Sequence, residues 1–297
     1  MKKLLSLTIL LISNFCFGQL KAVIINSETK EKIPYVNIWV ENESIGTTSN
    51  ENGAFELKFE GRKTIVFSAI GYETKKISSD AIKNSLELKP LITELDEIVI
   101  NSKKTSKELI IGNLKQDKIP TYYPGYENPC IVARFFEYKE SYNKTPFLKK
   151  IKVFTDSKVK NSKFNIIFYD INDRGEPYGY VYNKNIIGVA KYGKKTTEID
   201  ISDLNIKFPK KGFFIAIEWL IIESNKYVFR YRERDSNIWI EKIMYAPAFL
   251  GIASNSDKKS SWFFDQGTWK YYLKQEKNNG YFNGKYPELA IKLTLTN

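Results

Sequence analysis

The chain has 297 residues, with 46 Lys or Arg, 34 Asp or Glu and a formal net charge of +12. It contains no histidine and two cysteines, which excludes Ser-His-Asp and Cys-His catalysis, imidazole metal sites and cysteine-rich zinc or iron–sulfur sites. The basic residues are 40 lysines and 6 arginines, and phosphate-binding sites favour the planar fork of arginine, so we expect no nucleic-acid partner. We also expect no cofactor.

Residues 1–18 have the pattern of a secretory signal peptide. Lys2 and Lys3 provide the charged start, and residues 4–12 form an apolar run that is too short to span a bilayer. The motif Cys16-Phe17-Gly18 places small residues at the −3 and −1 positions of a cleavage site. We therefore expect an exported protein in the periplasm, at the outer membrane or secreted, with no integral membrane segment after cleavage.

The two cysteines, Cys16 and Cys130, affect the predicted type of export signal and the possibility of a disulfide. A lipoprotein signal acylated at Cys16 is the alternative, but such signals need a small residue before the cysteine, and Phe15 is bulky. After cleavage only Cys130 would remain, and one thiol cannot form an internal disulfide. We expect Cys130 to be a small buried hydrophobic residue.

Residues 19–100 show the two-residue alternation of β-strands. Phe55, Leu57 and Phe59 fall on one face and Glu56 and Lys58 on the other. Turn-forming residues separate the strands at intervals of about ten residues, a spacing typical of β-sandwiches.

Six motifs in order strengthen this interpretation. They are KIPYVNI (32–38), GTT (46–48), NGAF (52–55), SAIGY (68–72), LEL (86–88) and LDEIVI (95–100). Together they make residues 20–100 resemble a carboxypeptidase regulatory-like domain, as found in cell-envelope proteins of Bacteroidetes. The resemblance implies a transthyretin-like seven-stranded β-sandwich with a binding or structural role, not a catalytic one.

Residues 101–119 are polar and predict a linker, and residues 120–297 predict a second, larger β-sandwich. The expected strands are 149–154, 164–171, 179–187, 213–222, 226–234, 238–245, 269–274 and 289–295. Residues 213–222 are apolar on both faces and predict a central strand. The whole chain is therefore expected to be all-β, and the second domain weakly resembles jelly-roll accessory modules of secreted proteins.

Two sets of residues are candidates for ligand binding. Arg230, Arg232 and Arg234 alternate along one strand face, which favours either a small anion site or a solvated face. Residues 261–272 hold a dense aromatic group whose alternatives are a glycan-stacking platform and core packing. The platform would use these residues: Trp262, Asp265, Gln266 and Trp269.

Two groups of acidic residues are candidates for metal binding or catalysis. Asp170 and Asp173 could hold a structural calcium ion, but the segment departs from a calcium loop and favours a hairpin turn. Glu218 lies in the most apolar strand, which predicts either a raised-pKa acid or an ion pair with one of the Arg230 cluster. A glycosidase would need a second carboxylate, for which Glu233 and Glu241 are candidates.

Three functions therefore remain open. The first is a non-enzymatic cell-envelope module that binds a glycan or a protein, with no catalytic residues. The second is a carboxylate-based glycoside hydrolase or lyase. The third is a structural subunit that docks to an outer-membrane receptor or secretion assembly by pairing at a strand edge.

Overall fold

The computed structural model describes residues 17–91, 107–114, 121–233, 236, 238–255, 260–275, 282 and 284–297. These residues form 22 β-strands and four short 3₁₀ helices, so the all-β prediction is confirmed. Among them, no helix has the length and apolar character needed to cross a membrane. The chain divides into two compact units, residues 1–91 and 92–297.

The first unit is a sandwich of seven strands. Its strands are β1 (Phe17–Asn26), β2 (Asn37–Val40), β3 (Gly46–Thr48), β4 (Ala54–Glu60), β5 (Thr64–Ser68), β6 (Lys75–Ser78) and β7 (Ser85–Leu88). One sheet has the order β4-β1-β7 and the other β3-β2-β5-β6. Phe55, Leu57 and Phe59 are buried as predicted, and they pack with residues of both sheets. The predicted signal peptide and the closing motif at 95–100 lie outside the described residues, apart from β1's first two positions.

The described residues of the second unit form fifteen strands. They are β8 (Glu108–Gly112), β9 (Thr121–Gly125), β10 (Ile131–Phe136), β11 (Phe147–Ser157), β12 (Ser162–Ile171), β13 (Pro177–Tyr180), β14 (Ile186–Ala190), β15 (Gly193–Asp200), β16 (Phe213–Trp219), β17 (Lys226–Arg232), β18 (Trp239–Ser254), β19 (Ser261–Asp265), β20 (Thr268–Tyr271), β21 (Tyr286–Leu289) and β22 (Ile291–Thr296).

Two sheets face each other across the main core of this unit. The seven-stranded sheet has the order β13-β12-β16-β10-β19-β20, with β14 also paired to β12. The eight-stranded sheet has the order β17-β18-β11-β22-β8, with β15 on β11 and both β9 and β21 on β18. Phe249 of β18 shows the contact between sheets, because its ring lies 4.9 Å from Phe164 and 5.2 Å from Trp219, centroid to centroid.

The predicted linker needs a correction. Residues 108–112 form β8, which pairs antiparallel with β22 at the edge of the eight-stranded sheet. Leu109 and Ile111 pack against the main core, and this apolar pair explains why a segment rich in lysine becomes a strand. The remaining residues of the predicted linker, apart from 107 and 113–114, lie outside the described part of the chain.

The other face of the seven-stranded sheet is also buried. Asn165, Phe214, Glu218 and Trp262 point away from the main core, yet none is more than 5% exposed. Tyr169 of β12 reaches Trp269 of β20, with ring centroids 5.2 Å apart. Four strand-to-strand steps separate these strands, about 19 Å in a flat sheet, so the sheet must curl around this face. The curl creates a second, concave interior.

Asn225, fully buried, joins the start of β17 to the seven-stranded sheet. Its side-chain oxygen accepts a hydrogen bond from the Lys163 N–H (2.8 Å), and its amide nitrogen donates to the carbonyls of Lys163 (2.7 Å) and Leu220 (2.9 Å). These three bonds satisfy the fully buried Asn225 amide and tie it to backbone groups of Lys163 and Leu220.

We expect Asn225→Ala to lower the free energy of unfolding by at least about 2 kcal/mol, because it removes partners from buried backbone groups. The exposed Asn143 accepts a hydrogen bond from the Tyr138 hydroxyl and donates one to the Glu140 carboxylate, both at the surface, so Asn143→Ala should stay within about 0.5 kcal/mol of the unsubstituted chain. Urea titrations followed by circular dichroism give both values. Equal effects of the two substitutions would contradict this role for Asn225.

Candidate interaction surface

The β17–β18 hairpin, which we define as β17 with residues 239–245 of β18, contains the predicted arginine group. β17 pairs antiparallel with β18 without a bulge, from Lys226 opposite Tyr245 to Arg232 opposite Trp239. Arg230 and Arg232 lie on the same strand face, as the alternation predicts. Arg234 lies outside the described residues.

The hairpin has two chemically different faces. We call the first the aromatic face; β17 contributes Tyr227, Phe229 and Tyr231 to it. The rings of Phe229 and Tyr231 stack with centroids 5.9 Å apart, and the Lys242 ammonium lies 5.5 Å from the centre of the Tyr231 ring. Stacking and the cation–π contact stiffen this face while leaving it accessible.

The opposite side, which we call the basic face, combines cations with exposed apolar groups. β17 contributes Lys226, Val228, Arg230 and Arg232, and β18 contributes Glu241 and Trp239. The Arg230 guanidinium pairs with the Glu241 carboxylate at 2.7 Å, with both side chains more than half exposed. A pair this exposed contributes at most about 1 kcal/mol to stability.

Apolar exposure sets this hairpin apart from an ordinary solvated ribbon. Trp239 is 67% exposed, Val228 53% and Phe229 44%, and Ile238 beside the hairpin is exposed too. In the described part of the chain, residues 239–244 of β18 pair only with β17. Two-stranded ribbons are marginally stable in water without further packing, so this surface would gain stability from a partner that covers it.

The predicted glycan platform does not lie on the surface. Trp262 is 2% exposed and packs edge-on against Phe214 (6.4 Å) and Tyr271 (5.5 Å) in the concave interior. Trp269 is half-buried and meets both Phe264 and Tyr169 edge-on. The aromatic residues therefore serve core packing, the alternative that the sequence also offers, because the curl of the sheet encloses the face they share.

Asp265 and Gln266 lie in the β19–β20 turn. Asp265 forms an ion pair with Lys270 at 3.1 Å, and Gln266 is exposed with a φ of +49°. Residues 266–267 both have positive φ, which suits the tight turn that joins two paired strands. These two side chains therefore have a turn role, and they are not aligned with an exposed stacking surface.

Glu218 lies in the concave interior. Its carboxylate accepts a hydrogen bond from the Asn165 amide at 2.8 Å. That amide also donates to Asn185 (2.9 Å) and accepts from the Ile186 N–H (3.1 Å), so its orientation is fixed. Burial raises the pKa of Glu218 to about 7, and the Asn165 bond lowers it in part. Of the predicted arginine partners, Arg230 pairs with Glu241 and not with Glu218, whose described side-chain contact is the Asn165 amide.

The Asp170–Asp173 segment forms the turn of the β12–β13 hairpin. The Asn172 side-chain oxygen accepts hydrogen bonds from the N–H groups of Arg174 (2.9 Å) and Glu176 (3.0 Å). Asp170 accepts from the Ile171 N–H at 2.8 Å. Hydrogen bonds between its own side-chain oxygens and backbone N–H groups therefore hold this turn. In the described part of the chain, no three or more His, Cys, Asp or Glu side chains lie together as a metal-binding group.

Cys130 packs against the main core at the start of β10. Burial raises the pKa of its thiol to about 12, and the Asp265 carboxylate adds to this effect. A thiol with so high a pKa carries almost no thiolate at neutral pH, so its role is packing.

Substitutions of Trp262 and Trp239 compare a tryptophan in the concave interior with an exposed tryptophan on the hairpin. We expect Trp262→Ala to lower the free energy of unfolding by about 3 to 5 kcal/mol, because it empties part of the concave interior. We expect Trp239→Ala to change it by less than about 1 kcal/mol, because that ring is exposed. Chemical denaturation distinguishes the two. A stable, fully folded Trp262→Ala variant would restore the platform interpretation.

Glu218 also predicts how stability depends on pH. Its folded-state pKa of about 7 exceeds the ordinary value of 4.5, so folding favours the protonated form. Its contribution is complete below pH 4.5 and is lost as the pH rises through about 7, a decrease of roughly 3 kcal/mol in the free energy of unfolding.

Glu218→Gln should remove this decrease, since glutamine stays neutral at every pH. The matched control is Glu60→Gln, at an exposed position of β4, which should keep the decrease. The measurement is urea unfolding at several pH values between 4 and 8. Parallel pH profiles for the unsubstituted chain and Glu218→Gln would rule out Glu218 as the source.

Two solved structures of one bacterial surface protein resemble this chain weakly. The cysteine protease and lectin-like domains of Cwp84, a surface-layer-associated protein of Clostridium difficile, are 12% identical with a TM-score of 0.35, covering 61% of this chain and 37% of that one. The clostridial cysteine protease Cwp84 after propeptide cleavage is 11% identical with a TM-score of 0.37, covering 84% and 50%. This chain thus spans at most half the length of either structure, and TM-scores this low do not establish a common fold.

No curated protein matches this chain. The family model described as "CarboxypepD_reg-like domain" matches residues 20–100. The match coincides with the segment identified from its six motifs, and its described part forms the seven-stranded sandwich. The first unit of this chain therefore carries a CarboxypepD_reg-like domain.

Proposed function

We propose that this chain is a non-enzymatic accessory module of the cell envelope whose β17–β18 hairpin binds a protein partner. Export is expected from residues 1–18, which have the signal-peptide pattern. The CarboxypepD_reg-like domain is non-catalytic, which supports an accessory role for the chain.

The observation that carries the proposal is the combined exposure of Trp239, Val228 and Phe229 on one hairpin. Protein interfaces are enriched in aromatic side chains and arginine, and depleted in lysine and glutamate. Arg230 and the exposed Trp239 lie on the basic face of this hairpin, and both are residue types that dominate interface hot spots. Lys226 and Glu241 on the same face depart from the average interface composition.

The two other functions receive less support from the same residues. A glycan platform on Trp262 and Trp269 would need exposed rings, and these rings pack in the concave interior. A carboxylate hydrolase would need Glu218 beside a second carboxylate at a cleft, whereas Glu218 is buried against Asn165.

Site-specific photo-crosslinking in native cells tests the proposal. A photoreactive amino acid replaces Val228 or Trp239 in the full chain, and the control position is Tyr178, an exposed residue of β13 in the other sheet. We expect one protein adduct of the same mass from positions 228 and 239, and none from position 178. Identical adducts from all three positions, or none from the hairpin, would refute the proposal.

A further inference from the structure

We infer that β17 receives an extended segment of the partner as an additional strand, and that this segment alternates acidic and apolar residues. The inference rests on the proposed function and specifies how the hairpin would bind. It follows from the backbone of β17, from the two faces of the hairpin and from the charge of the strand.

The backbone geometry shows which groups of β17 are turned outward. The Glu233 N–H donates to the Ile238 carbonyl at 2.9 Å, and these residues continue the β17–β18 register. In an antiparallel pair, residues that exchange hydrogen bonds alternate with residues whose backbone groups point away. The odd-numbered residues of β17 therefore bond to β18, whereas the N–H and C=O groups of Val228 and Arg230 point away from it.

In the described part of the chain, β17 is an edge strand whose backbone has none of the features that commonly block pairing, such as a bulge, a proline or a very short length. It is seven residues long, contains no proline or glycine, and pairs with β18 without a bulge. Its central sequence, Tyr-Val-Phe-Arg-Tyr, is rich in residues that favour strands. An edge of this kind is a template for another strand.

The side chains select the chemistry of that strand. On the basic face, β17 contributes three cations, Lys226, Arg230 and Arg232. Lys226 pairs with Glu223 and Arg230 with Glu241, but these pairs are exposed and weak, so carboxylates on a neighbouring strand could compete for the same cations. On the aromatic face, β17 presents three aromatic rings, which favour apolar residues opposite them. Because successive residues of a strand point to opposite faces, the incoming segment must alternate acidic and apolar residues.

The same charges oppose pairing with a second copy of the chain. Antiparallel self-pairing centred on Phe229 would place Lys226 opposite Arg232 at both ends of the pair. Like charges in directly opposite positions are destabilising. The partner is therefore a different protein, and charge complementarity favours an acidic one.

The test uses the full chain and a fluorescein-labelled peptide of about eight residues that alternates glutamate and valine, matched to typical strand lengths. Fluorescence anisotropy measures its dissociation constant. A lysine–valine peptide of the same length should bind at least about tenfold more weakly, because it repeats the charge of the basic face. Equal binding of the two peptides would overturn the inference.

Two substitutions at one position separate backbone pairing from side-chain contact. Val228→Pro removes an outward N–H that β18 does not use, so the hairpin keeps its own hydrogen bonds. Val228→Ala removes the side chain and keeps the N–H. We expect the proline variant to bind the acidic peptide about tenfold more weakly than the alanine variant. Equal affinity of the two variants would overturn strand addition.

Hydrogen exchange on the unsubstituted chain provides a second measurement, which does not depend on how the proline variant folds. The amides of Val228 and Arg230 should exchange rapidly alone and become protected with the acidic peptide, whereas Phe229 is already protected by β18. Unchanged exchange at Val228 and Arg230 would overturn the inference. Crosslinks from positions 228 and 239 would then still support protein docking, and their absence would refute the docking proposal itself.

Discussion

β16 is the strand on which the second unit depends, because it is buried on both faces. Phe213, Ile215 and Ile217 point into the main core between the sheets, and Phe214 and Glu218 point into the concave interior. A strand in this position cannot tolerate exposure of either face, so the seven-stranded sheet must be covered by the other sheet and must also curl. The burial of Trp262 and the contact between Tyr169 and Trp269 follow from this constraint.

The same constraint explains why the β17–β18 hairpin is different. Its root is fixed to the seven-stranded sheet by Asn225, which has all its hydrogen bonds inside the protein. Beyond that root, β17 and the first half of β18 pair with each other, and the apolar groups of Val228 and Trp239 remain exposed. The hairpin is at the end of the eight-stranded sheet, and every β17 side chain there is exposed or only half-buried. Its exposed aromatic and aliphatic side chains therefore contribute little to the packing of the second unit.

Alternation with a period of two predicts strands well, because it depends only on neighbouring residues. It placed the buried face of Phe55, Leu57 and Phe59. The absence of alternation in the apolar run 213–222 identified a central strand, which in the structure ends at Trp219. It cannot say which face is enclosed, because that depends on strands distant in the chain. Trp262 illustrates this: its face is closed by the curl that brings Tyr169 to Trp269. Glu218 is similar, since its partner Asn165 lies 53 residues away and the sequence pointed to arginine instead.

The cations of β17 affect which strands can pair with its edge. An exposed edge strand with apolar residues is an aggregation hazard, and proteins commonly place cations on such edges to prevent pairing with themselves. Lys226 and Arg232 satisfy that requirement, since they would face each other in a self-paired edge. Cations that repel an identical strand attract an acidic one, so the protection is selective. The sequence of β17 can thus keep the chain from pairing with copies of itself while leaving its edge open to a partner of opposite charge.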